Sequence, residues 1–403
     1  MSLRPRISVH VWNRPETRSW MALSTLLALA LMLPAACSDP TPENPNPNSE
    51  EIAAVLQGYG ERAILPALER FRTAVIALED ATTQWAQTTE EEQDSAAAKS
   101  AAQAQYLETM AIWQEIEVHQ LGPTKEVRDE VFSFPTTNPC RIDQETTEEN
   151  WNNEDFFSSN NVNSYGLDGL EVLLFSDDSN HCSGQLNPNA DGSWDALGPD
   201  GVERNRARFS VALSAGLRTQ ADSLLQGWGP EGADFADILA NPGPDAVYTN
   251  EQEALNGIYE ALFYLELGTK DRKLALPLGL KECTGELCAE QVEGKLSESS
   301  MRWIESNLEG FWSLYTGGEG LGVDDLLREL GHGDLADRFQ QAFDAAYATV
   351  QSLEGNLYEM ILDDRETAES LLAELKVLTD LLKGDLSTVL TLTIPNEAAG
   401  DND

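Results

Sequence analysis

Apolar residues recur along most of this chain at the three- and four-residue spacing of an amphipathic helix. The pattern predicts a helix over residues 52–87, kinked or interrupted at Pro66, and a second helix over residues 96–120. Further helices are predicted over residues 202–228, 250–267, 286–315, 324–330, 335–353 and 366–386. No stretch alternates apolar and polar residues as a half-buried strand does. The sequence therefore predicts an all-α protein built of helical bundles.

The run over residues 165–175 departs from this pattern because it is apolar on nearly every side. As a helix, it would place Asp168 and Glu171 on one face, among residues that are otherwise apolar or glycine. Such a helix is expected to be buried, and burying a carboxylate without a partner costs several kcal/mol. The sequence therefore predicts that a cation, a hydrogen-bond donor or a proton accompanies each carboxylate. Asn163 or Ser164 is the predicted cap of this helix.

Two segments around this run are predicted as loops. Residues 134–164 are rich in Pro, Thr, Asn and acidic side chains, and residues 176–201 are rich in Gly, Asn, Asp and Pro. The second segment contains Asn-Pro-Asn-Ala-Asp-Gly over residues 187–192, which resembles the first half of a calcium loop. Gly198 stands where the acidic twelfth residue of such a loop belongs, so we interpret it as a turn.

The predicted helices fall into two groups. We expect an N-terminal bundle over residues 51–201 and a C-terminal bundle over residues 202–395, followed by a disordered acidic tail over residues 396–403. The helical sequences 113–122 and 303–310 are alike, one in each half of the chain. This likeness is the pattern that a degenerate duplication of one bundle would leave.

The N-terminus has the order of an export signal. Four arginines precede an apolar segment over residues 20–33, which ends in Pro34-Ala-Ala-Cys37. Small residues before a cysteine resemble a bacterial lipobox, although Pro34 stands where leucine is usual. We therefore interpret residues 1–37 as a lipoprotein-type signal peptide with Cys37 as the lipidation site. An uncleaved membrane anchor is the alternative, since the apolar segment is close to the shortest length that spans a bilayer.

Residues 38–50 are rich in Pro and Asn and are predicted to form an extended tether. A tether after a lipidated cysteine would hold the folded part away from the membrane. The protein is therefore expected to be exported and lipid-anchored in the bacterial cell envelope, with its folded part in the periplasm or at the cell surface.

Acidic side chains far outnumber basic ones, with 69 Asp and Glu against 26 Lys and Arg and a formal net charge of −43 at pH 7. This excess argues against nucleic acid and against an anionic membrane surface as partners. Cations are attracted by such a surface, but acidic side chains also simply keep an exported protein soluble. Contact with a membrane is therefore expected only through the lipid anchor.

Four cysteines follow Cys37, and an even number in an exported chain indicates two disulfides. Of the three connectivities that four cysteines allow, we favour Cys140 with Cys182 and Cys283 with Cys288. The alternative is a four-cysteine zinc site, although the spacings are not those of paired zinc knuckles.

Few catalytic constellations fit this sequence. After the signal, the histidines are His119, His181 and His332, and no His-Glu-x-x-His pair occurs, which excludes a zincin-type peptidase. Gly-x-Ser-x-Gly motifs and glycine-rich phosphate loops before a helix are absent as well. We interpret His119 and His332 as capping or surface residues. What remains is oxygen chemistry at the two carboxylates of the 165–175 run.

Asp168 and Glu171 lie three residues apart, so on a helix both carboxylates could bind one hard cation. Glu117 and His119 of the preceding helix are the candidate further ligands. The alternative is structural, because a negative charge in the first turn of a helix, such as that of Asp168, is favoured by the helix dipole. In that case Glu171 would pair with one of three cationic side chains, those of Arg128, Lys125 and Arg141.

Several short motifs occur in a characteristic order along the chain. They are Trp113-Gln-Glu-Ile-Glu117 followed by Gly122-Pro123, then Phe134-Pro135, residues 166–175, residues 271–279, and residues 293–317 with Ser297, Ser300, Asn307, Leu308 and Tyr315. In this order they resemble the imelysin family of exported bacterial proteins, which includes iron-regulated members. The resemblance covers most of the chain after the signal.

The resemblance implies two related helical bundles packed together, a pocket between them and a role associated with iron uptake. The motif of the family, Gly-x-His-x-x-Glu, corresponds here to Gly166, Asp168 and Glu171, with aspartate in place of histidine. Two carboxylates form a harder, all-oxygen pair, which suits iron or another hard divalent cation. The replacement also weakens the interpretation as a peptidase, which rests on the founding member of the family, because one of the two proposed ligands has changed character.

We therefore expect an exported lipoprotein that binds iron, or an iron-bearing ligand, in iron uptake. A metallopeptidase that uses the same residues to hold a metal-bound water is one alternative. A surface interaction protein without a small ligand is the other, and it predicts carboxylates that are salt-bridged to Arg or Lys.

Overall fold

The structure, a computed structural model, describes residues 48–353 and 355–399. Within these ranges all regular structure is helical and no β-strand occurs, which confirms the predicted all-α class. The α-helices are α1 Ser49–Tyr59, α2 Leu65–Glu90, α3 Ala96–Glu117, α4 Gly122–Val131, α5 Pro139–Glu148, α6 Phe156–Ser159, α7 Gly166–Phe175, α8 Ser193–Trp228, α9 Phe235–Ala240, α10 Glu251–Leu262, α11 Ser300–Thr316, α12 Val323–Glu329, α13 Gly333–Ser352, α14 Leu357–Asp363, α15 Arg365–Leu381, α16 Ser387–Val389 and α17 Asn396–Ala399. Three π-helical segments, Gly60–Ile64, Leu265–Ala275 and Leu382–Leu386, connect some of them.

The first two helices form one nearly continuous rod. The π-helical segment Gly60–Ile64 joins α1 to α2, and Pro66 falls in the first turn of α2. Helical hydrogen bonding continues from Gly60–Ile64 into α2, where the Leu65 N–H bonds to the Gly60 carbonyl. Pro66 has no N–H to donate to this turn and its ring crowds the carbonyl of Arg62, so the predicted interruption is the π-helical turn just before Pro66. Gly60 packs directly on α9, where an added Cβ would lie 2.3 Å from the Cβ of Ala236.

Two groups of helices pack around this rod. Helix α2 packs against α3 and α8, and α7 packs against α8 and α3. Helix α1 packs instead against α9, α10 and α12, while α11 packs on α3 and on α13. The described residues belong to one compact unit, and the boundary expected at residues 201 and 202 falls inside α8, which bends at Gly198. The division into bundles over residues 51–201 and 202–395 stays a prediction.

Helices α3 and α11 contain the two similar sequences and cross each other closely. A Cβ added to Gly310 would lie 2.1 Å from the carbonyl oxygen of Glu115, so the two backbones are nearly in contact at this point. Trp113 and Trp303, the first residues of the two similar sequences, are both fully buried. The glycine of α11 therefore determines how closely the helices approach.

Several elements differ from the sequence prediction, and α8 begins at Ser193, inside the predicted loop over residues 176–201. Helix α5 lies inside the predicted loop over residues 134–164, where the Asn138 side chain accepts a hydrogen bond from the Arg141 N–H at 3.1 Å. The helix expected from residue 286 begins only at Ser300. At the C-terminus, α17 occupies residues 396–399 of the predicted disordered tail.

The segments at the ends of the chain are described only in part. The predicted signal over residues 1–37, with Cys37, and the tether as far as residue 47 lie outside the described residues, as do residues 400–403. Helix α1 begins at Ser49, inside the predicted tether. Among the described residues, no helix is both long and apolar enough to cross a membrane.

Both favoured disulfides are present in the structure. Cys140 in α5 is bonded to Cys182 in the loop after α7, with Cα atoms 4.6 Å apart, and Cys283 is bonded to Cys288, with Cα atoms 6.0 Å apart. These distances lie within the ordinary range for disulfides. The four cysteines are therefore paired with each other and are not the ligands of a zinc ion.

Candidate functional site

Helix α7 is buried as predicted, and its first residue has to be glycine. Gly166 has φ of +80°, and a Cβ there would lie 2.7 Å from the carbonyl oxygen of Val131. The N-cap is Tyr165, which makes no side-chain capping bond, so the predicted cap at Asn163 or Ser164 is wrong. Ser164 belongs to a 3-10 turn, in which its Oγ donates to the Asn161 carbonyl at 2.8 Å.

Asp168 lies in the first turn of α7 and is 4% exposed. Its Oδ2 accepts hydrogen bonds from the Ser133 N–H at 2.8 Å, the Ser133 Oγ at 2.5 Å and the Thr137 Oγ1 at 2.9 Å. Its Oδ1 is buried and has no hydrogen-bond partner among the described residues. Burial raises the pKa of Asp168 to about 7, although the bonds from Ser133 and Thr137 oppose this rise. The Asp168 carboxyl group therefore changes between its protonated and ionised forms near neutral pH.

Glu171, one turn further along α7, is partly buried and faces the segment that precedes α11. Its Oε1 accepts hydrogen bonds from the Ser297 N–H at 2.9 Å and the Ser297 Oγ at 2.7 Å. Burial raises its pKa, and the two bonds from Ser297 partly offset the rise. Both carboxylates thus have hydroxyl and amide donors as partners, one of the alternatives that the sequence predicted.

The cationic partners considered for Glu171 all bind other carboxylates. Arg128 pairs with Glu117 at 2.8 Å, and Lys125 pairs with Glu260 at 2.7 Å. Arg141 pairs with Glu145 within α5. The predicted salt bridge from Glu171 to one of these three residues is therefore wrong.

Glu117 is fully buried between two cations. Its Oε1 is 2.8 Å from the Arg128 guanidinium, and its Oε2 is 3.1 Å from the Lys273 ammonium. Burial by itself would raise its pKa, but Lys273 and Arg128 outweigh burial and hold the pKa of Glu117 below its usual value. The carboxylate is thus ionised and already neutralised, which leaves it poorly suited to serve as a ligand for a further cation.

His119 is buried against the backbone of Gly310 and is not a surface residue. Burial lowers its pKa to about 4, so the imidazole is neutral at physiological pH. In the part of the chain that the structure describes, no group of three or more His, Cys, Asp or Glu side chains is arranged to hold a metal ion. Of the four predicted ligands, Asp168 and Glu171 share one helix, whereas Glu117 and His119 do not complete a cluster with them.

A buried polar network next to the site was not apparent from the sequence. The ammonium of Lys273 lies 2.9 Å from Glu293 and also contacts Gln114. Gln114 donates to Glu293 at 2.9 Å and accepts from Asn307 at 2.9 Å. Burial raises the pKa of Glu293 to about 7, against the opposing effect of Lys273. The network joins α3, the π-helical segment Leu265–Ala275 and α11. Its members come from motifs that lie far apart in the sequence.

Replacing Asp168 with asparagine is expected to change stability with pH. The folded-state pKa of about 7 lies above the unfolded value of about 3.9, so wild-type stability falls as pH rises between these values. Asparagine cannot ionise and escapes this loss, which amounts to at most about 4 kcal/mol. The free energy of unfolding of Asp168→Asn minus that of wild type should therefore increase from pH 4.5 to pH 8, as measured by urea denaturation.

Asp380→Asn is the control for this experiment, because the Asp380 side chain is 57% exposed on α15. Its difference from wild type should be the same at both pH values. A pH-independent difference for Asp168→Asn as well would contradict the raised pKa.

Comparison with known proteins supports the fold independently. The family model described as Imelysin matches residues 64–384. An imelysin-like protein from Psychrobacter arcticum 273-4 has a similar structure, with a TM-score of 0.65 at 15% identity over 86% of this chain and 98% of that one. A candidate iron-regulated protein A precursor from Parabacteroides distasonis ATCC 8503 is similar too, with a TM-score of 0.65 at 14% identity over 86% and 97%. No curated protein matches by sequence. At these identities, the two structural likenesses show a shared fold.

Proposed function

The chain belongs to the imelysin family, whose model matches residues 64–384, and from this we propose that it is an exported cell-envelope protein that binds iron, or an iron-bearing ligand, in iron uptake. The name of the Parabacteroides distasonis relative, a candidate iron-regulated protein A precursor, supports both an iron-related role and export. Anchoring by a lipid on Cys37 is part of the proposal, and fractionation of cell membranes is the measurement that checks it.

The observation that carries the binding proposal is the unsatisfied oxygen of Asp168. Its Oδ1 is buried without a partner, while Oδ2 of the same carboxylate accepts three hydrogen bonds. A buried oxygen of this kind is uncommon in native proteins and calls for a partner. Glu171 supplies a second carboxylate from the same helix face, and among the described residues neither carboxylate forms an ion pair with Arg or Lys. That favours ligand binding over a purely structural ion pair or an interaction surface.

The composition of the site favours a hard cation. Carboxylate oxygens from Asp168 and Glu171 and hydroxyl oxygens from Ser133, Thr137 and Ser297 are the groups in this region. Oxygen ligands suit hard cations, and the net charge of −43 attracts them to the protein. Two carboxylates provide only part of a coordination shell, so the proposal includes an iron-bearing ligand that brings oxygens of its own.

Titration with iron tests the proposal. Wild type and an Asp168→Ala, Glu171→Ala double variant are titrated anaerobically with Fe²⁺ and separately with Fe³⁺ supplied as its nitrilotriacetate complex, with heat and bound iron as readouts. We expect the double variant to bind more than about tenfold more weakly, because even outer-shell changes at metal sites cost about 10–100-fold.

The matched control is a Glu366→Ala, Glu369→Ala double variant, which removes two exposed carboxylates with the same three-residue spacing from α15. It removes the same number of negative charges and should bind iron as wild type does. Equal binding by wild type and the Asp168 and Glu171 variant, or no binding by wild type, would refute the proposed site.

A further inference from the structure

Three side chains of the buried network surround the side-chain amide of Gln114. The ammonium of Lys273 and the Nδ2 of Asn307 both donate to its Oε1, the latter at 2.9 Å. Its Nε2 donates to Oε1 of Glu293 at 2.9 Å, and Oε2 of Glu293 lies 2.9 Å from the Lys273 nitrogen. Each of the four residues is at most 3% exposed. An amine, an amide and a carboxylate are thus held in mutual contact inside the protein.

These contacts supply each group that an acyl transfer needs. The amine of Lys273 touches the oxygen of the carbonyl whose carbon, about 1.2 Å further on, it would attack. Asn307 donates to the oxygen on which negative charge would develop, and its own amide is fixed by Thr269, whose Oγ1 donates to Oδ1 at 3.1 Å. Glu293 contacts both the attacking and the leaving nitrogen. Burial raises the pKa of Glu293 to about 7, which suits proton transfer near neutral pH.

We infer that Lys273 and Gln114 form an intramolecular isopeptide bond, an amide between two side chains, and that Glu293 catalyses its formation. The inference does not depend on iron binding. The bond joins α3 to the π-helical segment Leu265–Ala275 and closes a loop of 159 positions along the chain. In the chain-entropy model a cross-link that closes so long a loop gives a large stabilisation. Unlike a disulfide, an amide is not opened by thiols.

The reaction replaces one amide nitrogen with another and needs no co-reactant. Glu293 takes one proton from the Lys273 ammonium, and the freed electron pair of Nζ forms a bond to Cδ of Gln114, which moves negative charge onto Oε1. Glu293 then passes its proton to Nε2 and takes a second proton from Nζ. The bond between Cδ and Nε2 breaks, the carbonyl re-forms and ammonia leaves. The products are a secondary amide, one ammonia and a protonated Glu293, so atoms and charge balance.

The other charges of the network remain balanced when the ammonium disappears. Glu117 keeps its ion pair with Arg128 at 2.8 Å, and Glu293 ends the reaction with a proton and needs no cation. The ion pairs of Lys273 are therefore those of the chain before the bond forms. Lys273→Ala removes the bond together with these ion pairs, so its effect on stability is at least that of the ion pairs alone.

Mass spectrometry of the full wild-type chain tests the inference. The protein is reduced, denatured and digested with trypsin, which does not cut after a lysine whose amine is acylated. We expect residues 100–125 joined to residues 273–281, with a mass below the sum of the two peptides by one ammonia molecule. If residues 100–125 are found only as a separate peptide and the chain is cut after Lys273, the inference is wrong. The wild-type digest gives this answer whether or not any variant folds.

Glu293→Gln tests the catalytic role of the carboxyl group, because glutamine keeps the shape of the side chain but cannot shuttle the proton. We expect the joined fraction to fall at least about tenfold, since general acid–base catalysis contributes about 10²–10⁴-fold. Lys376→Arg on the exposed surface of α15 is the control and should form the bond as wild type does. An unchanged joined fraction in Glu293→Gln would overturn the role of Glu293. All of these outcomes are distinct from those of the iron titration, which tests the proposed function.

Discussion

Replacing Lys273 with alanine is expected to lower the free energy of unfolding by about 3–5 kcal/mol, the cost of removing one partner from a buried ion pair. The ammonium is 2% exposed and lies 3.1 Å from Glu117 and 2.9 Å from Glu293. Without it, Glu117 keeps the ion pair with Arg128, whereas the buried carboxylate of Glu293 loses its ion pair. Urea denaturation at pH 8 measures the loss.

The loss should be smaller at pH 5 than at pH 8. Burial raises the pKa of Glu293 to about 7, so at pH 5 this carboxyl group carries a proton and no longer needs the ammonium. Lys376→Ala is the control, because Lys376 pairs with Asp380 on the exposed surface of α15, where such pairs contribute about 0.5 kcal/mol or less. A Lys273→Ala variant as stable as Lys376→Ala at pH 8 would show that the buried network is not important for stability.

Replacing Gly310 with alanine is expected to destabilise the protein by at least about 2 kcal/mol, although alanine favours a helix by about 1 kcal/mol over glycine. The added Cβ would lie 2.1 Å from the carbonyl oxygen of Glu115 and 2.8 Å from its carbonyl carbon. These are backbone atoms of α3, so no side-chain rotation relieves the overlap. The two helices must separate, and the buried residues between them lose contact.

Gly384→Ala is the control for this prediction, because Gly384 is also helical and a Cβ there meets nothing within 4 Å. It should leave the unfolding midpoint in urea unchanged or raise it slightly. If Gly310→Ala behaved in the same way, the close crossing of α3 and α11 would be incorrect.

Much of the fold could be predicted because helical periodicity is a local property. The all-α class and the burial of α7 followed directly from the spacing of apolar residues. Helix α5 was missed because the polar composition of residues 134–164 outweighed a real start signal, Asn138 before Pro139. The interruption predicted at Pro66 is the π-helical turn Gly60–Ile64 just before it, which contains Arg62, the residue whose carbonyl the proline ring crowds. Only the structure shows that Gly60 in this turn also packs on Ala236.

The candidate site was predictable only in part. Two acidic residues in an apolar helix indicated that partners must exist, and the structure provides Ser133 for Asp168 and Ser297 for Glu171. These serines lie 35 and 126 positions away along the chain. A serine in a polar segment has no periodic signature that would link it to a distant carboxylate, so neither pairing could be inferred.

The sequence by itself determined which groups had to be buried, because apolar spacing decides which helix faces leave water and takes Asp168 and Glu171 with them. It also indicated two disulfides through the four cysteines that follow Cys37. Only the tertiary structure decided what the buried polar groups meet: serine hydroxyls for the two carboxylates of α7, and Lys273 with Arg128 for Glu117. The reason is physical, since burial depends on local composition, whereas hydrogen bonds and ion pairs are satisfied within about 3 Å by residues from any part of the chain.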